Sequence, residues 1–202
     1  MMASIALFDL GNVLLDWDPV RLYTELMGSR EQAEEFCATV TTMDWHKQHD
    51  RGVPMAENAR RLIEKHPEHA ELIHAWRIDW LDMFDGYVDG VDDIVRALKV
   101  AGVPLYALSN MPAEVWPEMR EEFPVLTDFR DVIISAKEKM IKPDPRIYAI
   151  ALERMGNPDP AEVLFIDDRQ DNVDAAIAAG MKAVHFTDAA ALRAALGEAG
   201  LL

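Results

Sequence analysis

Short apolar runs that stop abruptly at polar residues recur along this chain, and helical stretches separate them. Ile5-Ala6-Leu7-Phe8 runs into Asp9-Leu10-Gly11-Asn12, residues 103–108 run into Ser109-Asn110, and residues 162–166 run into Asp167-Asp168. Val132-Ile133-Ile134 and residues 183–186 have the same strand-like character, and helices are predicted over 89–100, 113–122, 145–155, 172–179 and 189–199. Runs this short and this apolar are strands buried on both faces. Alternation with helices then predicts an α/β fold: a doubly wound, Rossmann-like parallel sheet. Between the first strand and the rest, from Asp18 to about Phe84, the pattern is helical throughout. Asp18-Pro19 reads as an N-cap followed by proline in the first turn, and breaks fall at Gly28-Ser29, Gly52-Val53-Pro54 and Pro67. The expected organisation is a core of residues 1–15 and 86–202 interrupted by an all-helical cap over 16–85, with Asp16 and Trp17 starting the hinge. Such a sheet places its site outside the carboxyl ends of the strands, here under the cap.

The chain has 202 residues, half of them hydrophobic, enough for one α/β domain with a small insert. Twenty Lys and Arg against 36 Asp and Glu give a formal net charge of −16, which disfavours nucleic acid and anionic membranes as partners. A small anionic ligand would have to be drawn in by local cations. Cys37 is the sole cysteine, so no intrachain disulfide forms, and a buried, inert thiol is expected. No apolar stretch is long enough to span a bilayer, and a cytoplasmic location is expected.

In a parallel sheet Asp9, Ser109-Asn110 and Asp167-Asp168 all reach one edge, and Lys142-Pro143 precedes a helix at that edge. Two unit charges about 4 Å apart interact by about 4 kcal/mol at an effective dielectric near 20. One lysine does not offset three carboxylates, so a hard dication with oxygen ligands, Mg²⁺, is the expected cofactor.

Four segments in order, Phe8-Asp9-Leu10-Gly11-Asn12-Val13, Leu108-Ser109-Asn110, Lys142-Pro143-Asp144-Pro145 and Phe165-Ile166-Asp167-Asp168 with Asn172 shortly after, resemble the motifs of the haloacid dehalogenase (HAD) superfamily with a helical cap. The resemblance covers essentially the whole chain. It implies that Asp9 is the nucleophile forming an acyl phosphate. It further implies that Asp9, Asp168 and the backbone carbonyl of Gly11 ligate Mg²⁺, that Ser109 and Asn110 hold phosphate, and that Lys142 neutralises charge. Asp167 and Asn172 support these groups from behind. A simple turn at Ser109-Asn110 and a helix cap at Asp167 are the plainer alternatives.

Phosphatases of this superfamily usually carry Asp-x-Asp in the first motif, the second Asp protonating the leaving group. Here that position is Gly11. Losing a general acid costs about 10²–10⁴ in rate. The Asp-Leu-Gly-Asn wording is similar to a bacterial branch that includes phosphatases of α-glucose 1-phosphate, whose anomeric oxygen leaves easily. A sugar phosphate is therefore the expected substrate, with 1-phosphates preferred over 6-phosphates. His46 or His49 could replace the acid, but two solvated helix histidines are the simpler reading, and no zinc set is completed around them. Trp45 and the Arg51-Gly52 turn are candidates for the cap's substrate contacts, with Trp45 as cap core the alternative; Trp76 and Trp80 read as packing. Two competing functions remain: a 2-haloacid dehalogenase, which needs no leaving-group proton and no metal and would hold a substrate carboxylate with Arg21 or Arg30, and a non-catalytic binding protein on the same fold.

Overall fold

The structure, a computed structural model, describes residues 2–202. Its main sheet is built from β1 (Ile5–Phe8), β4 (Leu105–Ser109), β5 (Asp131–Ile134), β6 (Val163–Asp167) and β7 (Lys182–His185), while β2 (Leu15–Trp17) and β3 (Phe84–Tyr87) form a separate ribbon. The five strands of the main sheet are parallel and lie in the order β5-β4-β1-β6-β7. The order reverses at β1, so the crevice beside β1 and β6 is the place where such a fold accommodates a ligand. Alternate residues serve opposite faces of the sheet. Ala6, Phe8, Ala107, Ile134 and Ile166 join one apolar cluster, whereas Leu7, Leu108, Ile133 and Phe165 join another. Both faces are covered, and this explains why the strands read as unbroken apolar runs.

Helix α6 (Val91–Val100) buries Val91, Ile94, Val95 and Leu98 at helical spacing. Helix α9 (Pro145–Arg154) starts at an Asp144 cap and packs Ile147, Tyr148 and Ala151 onto the other face. Helix α10 (Gln170–Ala178) follows β6, and α11 (Ala189–Ala199) closes the chain. The stretch expected as one helix over 113–122 is a single 3₁₀ turn at 113–115 followed by α7 (Trp116–Glu122), and a short α8 (Ser135–Glu138) follows β5.

The insert holds α1 (Pro19–Met27), α2 (Arg30–Thr39), α3 (Met43–Asp50), α4 (Met55–Ile63) and α5 (Ala70–Ile78). Asp18 caps α1 by accepting from Val20 N at 2.9 Å, and Gly28 ends it at φ 70°, a left-handed turn that suits glycine. The insert is not wholly helical. Strands β2 and β3 pair antiparallel, with Leu15 opposite Tyr87 and Trp17 opposite Phe84. The ribbon lies across both expected boundaries and joins the two chain crossings between core and insert. Trp76 and Trp80 do not share a helix, because α5 ends at Ile78 and Trp80 begins a 3₁₀ turn.

Candidate active site

Asp9 follows the last residue of β1. Its amide donates to Ile166 O at 2.8 Å, extending the β1–β6 pairing, and its Oδ1 accepts from Leu10 N at 2.7 Å. The chain then turns tightly: Leu14 and Leu15 amides both donate to Leu10 O at 2.9 Å, with Asn12 at φ 57°. Asn12 Oδ1 accepts from Trp17 N at 3.1 Å, so the turn after Asp9 is tied to the ribbon.

Lys142 is 2 % exposed, and its Nζ donates to Asp9 Oδ2 at 2.9 Å and to Asp167 Oδ2 at 2.7 Å. Asp167 is fully buried; its Oδ1 also accepts from Arg169 N and from Asn172 Nδ2, each at 2.9 Å. Asn172 is held in turn by Tyr148, whose hydroxyl donates to Asn172 O at 2.9 Å. Asp167 therefore grips the lysine from behind and pins the start of α10 with its other oxygen, combining the two roles considered for it. Asn110 has an analogous job on the other side. Its Oδ1 accepts from Lys142 N at 2.8 Å and its Nδ2 donates to Lys142 O at 3.2 Å. The side-chain amide expected to hold phosphate is thus engaged with the lysine backbone, while Ser109, the last residue of β4, lines the cavity beside it.

Asp9, Asp167 and Asp168 each offer a carboxylate oxygen within 4.8 Å of the others. Burial pushes the Asp9 carboxyl up to about 8, with Lys142 pulling down and Asp167 and Asp168 adding to the rise. Burial pulls the Lys142 ammonium down, but Asp9 and Asp167 outweigh it and keep the lysine charged. Asp168 is half-buried and raised by burial and by Asp167. Ionised together, three carboxylates against one lysine carry an excess of two negative charges, and the raised Asp9 and Asp168 show that the cluster resists this without a further cation. The donors are all hard oxygens, so the set fits a Mg²⁺-type dication.

A cavity of about 390 Å³ opens over these residues, lined by Asp9, Gly11, Ser109, Lys142 and Asp168 from the core and by His46, Asp50 and Arg51 from the cap. A smaller annex of about 70 Å³ shares Gly11, Trp17, His46, Ser109 and Asn110 with it, and its other walls include Leu15, Trp80, Phe84 and Met119. Trp45 lines neither; its ring packs edge-on against Trp76 at 5.2 Å and its Nε1 donates to Asn58 O at 3.3 Å. The aromatic wall is Trp17, which arrives on the ribbon. The sequence suggested two solvated histidines, but His46 and His49 are both buried, and burial pushes them down to about 3 and about 4, so both are neutral. Cys37 is half-buried, and burial pushes its thiol up to about 11. Asp50, which sequence reasoning passed over, is buried at the cavity wall; only its place beside two histidines signalled it. Arg21 and Arg30 stay outside the cavity: Arg21 holds Met83 O and Asp16, and Arg30 holds Glu34.

The fold and this edge of converging carboxylates define a class, and comparison with known proteins agrees. Residues 3–180 match the haloacid dehalogenase-like hydrolase model, and the chain belongs to that family of enzymes. It is 27 % identical to the sesquiterpene phosphatase astK of Aspergillus oryzae, across 92 % of this chain and 91 % of that one. It is 24 % identical to a phosphorylated carbohydrates phosphatase of Thermotoga maritima, across 89 % and 82 %. Among solved structures, a HAD family enzyme of Bacteroides thetaiotaomicron in complex with magnesium and inorganic phosphate superposes with a TM-score of 0.71. It is 25 % identical and is covered over 96 % of its length by 93 % of this chain. No helix among the described residues is long and apolar enough to cross a membrane.

Proposed function

We propose that this protein is a Mg²⁺-dependent phosphatase of small phosphate monoesters that works through an aspartyl phosphate on Asp9. The observation that carries this reading is the meeting of three carboxylates and one buried lysine at the strand-order switch. Asp9, Asp168 and the Gly11 carbonyl would hold the metal, which when bound offsets the excess negative charge and stabilises charge on the phosphoryl oxygens. Asp9 attacks phosphorus with the carboxylate that Leu10 N and Lys142 orient. Lys142 holds the nucleophile and the charge developing beside it, from a position fixed by Asp167 and Asn110. Ser109 presents its hydroxyl to a phosphate oxygen at the cavity floor. Water then hydrolyses the acyl phosphate and frees Asp9.

The dehalogenase reading loses support because Arg21 and Arg30 are occupied elsewhere and the three acids would repel a carboxylate substrate. A non-catalytic role would leave the buried charge cluster without a use.

For the alcohol, the sugar reading, including α-glucose 1-phosphate, rests on the Asp9-Leu10-Gly11-Asn12 wording and on the polar cavity beneath Lys47 and Arg51. It is in keeping with the similarity to the carbohydrate phosphatase. A second reading, an apolar alcohol, rests on the annex, whose walls would offer a sugar hydroxyl little to bind. It is in keeping with the similarity to the sesquiterpene phosphatase. Phosphate release should require Mg²⁺, stop with EDTA and be abolished in Asp9→Asn; full activity in that variant would end the mechanism. A panel of hexose 1- and 6-phosphates and prenyl monophosphates separates the two alcohols by kcat/KM. Each methylene that enters the annex should improve kcat/KM about fourfold.

A further inference from the structure

The cap helix α3 carries a polar group on the cavity that the reaction as described leaves unused. Asp50, its last residue, is 4 % exposed yet lines the cavity together with Asp9 and Gly11. Its Oδ1 has no hydrogen-bond partner, and the nearest ionisable contact is His46 Nε2 at 3.5 Å. The His46 ring packs at shallow angles against Trp17, 5.3 Å away, and Trp80, 5.9 Å away, in a cluster whose two indoles also meet at 6.2 Å, and it lines both the cavity and the annex. The backbone at this point is anchored to the core: Ser135 Oγ donates to Asp50 O at 2.8 Å. Gly52, two residues on, packs so close to Ala136 O that a Cβ would stand 2.6 Å from it. An unpartnered carboxyl held this firmly at a buried wall is costly to fold around unless it keeps a proton or meets a ligand.

We propose that Asp50 is the general acid of this enzyme, protonating the leaving alcohol in place of the carboxyl absent at Gly11, with His46 positioning it. The proposal rests on the phosphatase reading above. As Asp9 attacks and the P–O bond to the alcohol breaks, the Asp50 carboxyl gives its proton to the departing oxygen. The resulting carboxylate takes a proton from the water that attacks the acyl phosphate, so Asp9 leaves as carboxylate, phosphate departs and Asp50 is protonated again. Atoms and charge balance over the cycle. Burial pushes the Asp50 carboxyl up to about 7, against the pull of Arg51, Lys142 and Lys47, and the buried His46 and His49 of the same helix stay neutral. A group of that kind holds its proton near neutral pH and still releases it readily, as an efficient acid must.

The test is leaving-group dependence in the full-length, Mg²⁺-loaded protein. Asp50→Asn should slow hydrolysis of an alkyl phosphate about 10²–10⁴-fold, and slow p-nitrophenyl phosphate far less, because nitrophenolate leaves without a proton. The basic limb of the alkyl-phosphate pH profile should vanish with it. Gly11→Asp should then rescue the variant, since the space a Cβ would occupy at Gly11 is open. His46→Asn should shift that limb without removing it. Turnover of p-nitrophenyl phosphate by Asp50→Asn also reports that the variant is folded. Equal loss on both esters, or an unmoved pH limb, overturns the assignment while leaving the phosphatase intact. If the wild-type protein hydrolyses neither ester, the phosphatase reading itself falls and takes Asp50 with it.

Discussion

Two buried polar clusters line one cavity, and they are built differently. In the core, Lys142, Asp167, Asn172 and Asn110 interlock through short hydrogen bonds that fix one geometry. In α3 of the cap, His46 Nδ1, both ring nitrogens of His49 and Asp50 Oδ1 are buried without partners; among the described residues of the core only Asn172 Oδ1 shares that condition. A satisfied network holds its members rigid, whereas unmet polar atoms make a region expensive to close and responsive to what enters it. On the proposed function, the core cluster would meet the phosphoryl group and the cap cluster the leaving alcohol.

The strongest challenge to this contrast is Lys142→Met. It strips the ion-paired ammonium from Asp9 and Asp167, so activity should vanish and stability should fall by about 3–5 kcal/mol, read by denaturant titration. Adding Asp167→Asn should recover much of the stability and none of the activity. If the single variant is as stable as wild type, the core is not an interlocked unit. Gly52→Ala comes next. With φ at +88° and Ala136 O in the way, the added methyl should cost at least about 1–2 kcal/mol and raise KM by misplacing α3; unchanged kinetics would show that cap seating does not matter.

The smallest effect is the most diagnostic. His49→Leu removes two unmet ring nitrogens and should stabilise the protein by about 1 kcal/mol near pH 7. Burial holds His49 down to about 4, below the ordinary value near 6.5. The unfolded chain therefore takes up a proton below pH 6.5 that the native state refuses until about 4, and the wild type loses stability across that window. The variant lacks this loss. Its advantage in unfolding free energy should widen on acidification from pH 6.5 to 4, by about 1.4 kcal/mol per pH unit; a constant gap would mean that His49 takes up its proton as readily in the native state as in the unfolded chain.

The core was legible in the sequence because a strand buried on both faces announces itself, and a carboxylate or lysine at its end serves no packing purpose. Asp9, Lys142, Asp167 and Asp168 could be placed on one edge from strand–helix alternation alone. The ribbon was not legible: Leu15-Asp16-Trp17 and Phe84-Asp85-Gly86-Tyr87 are too short and too polar to show a period, and only their pairing makes them strands. Helix α3 misled for a deeper reason. In Met-Asp-Trp-His-Lys-Gln-His-Asp the buried positions are His46, His49 and Asp50, so its inward face is polar and hydrophobic patterning points the wrong way. Local rules fail where a chain accepts instability for the sake of chemistry.

Trp17 sits on the ribbon through which the chain enters the cap, and the same indole forms part of the chamber wall. The crossing from core to cap and the chamber wall are therefore one piece of chain. A bulky alcohol filling the chamber would press on the same strand that joins the two parts, so substrate size and the seating of the cap would be felt at one side chain.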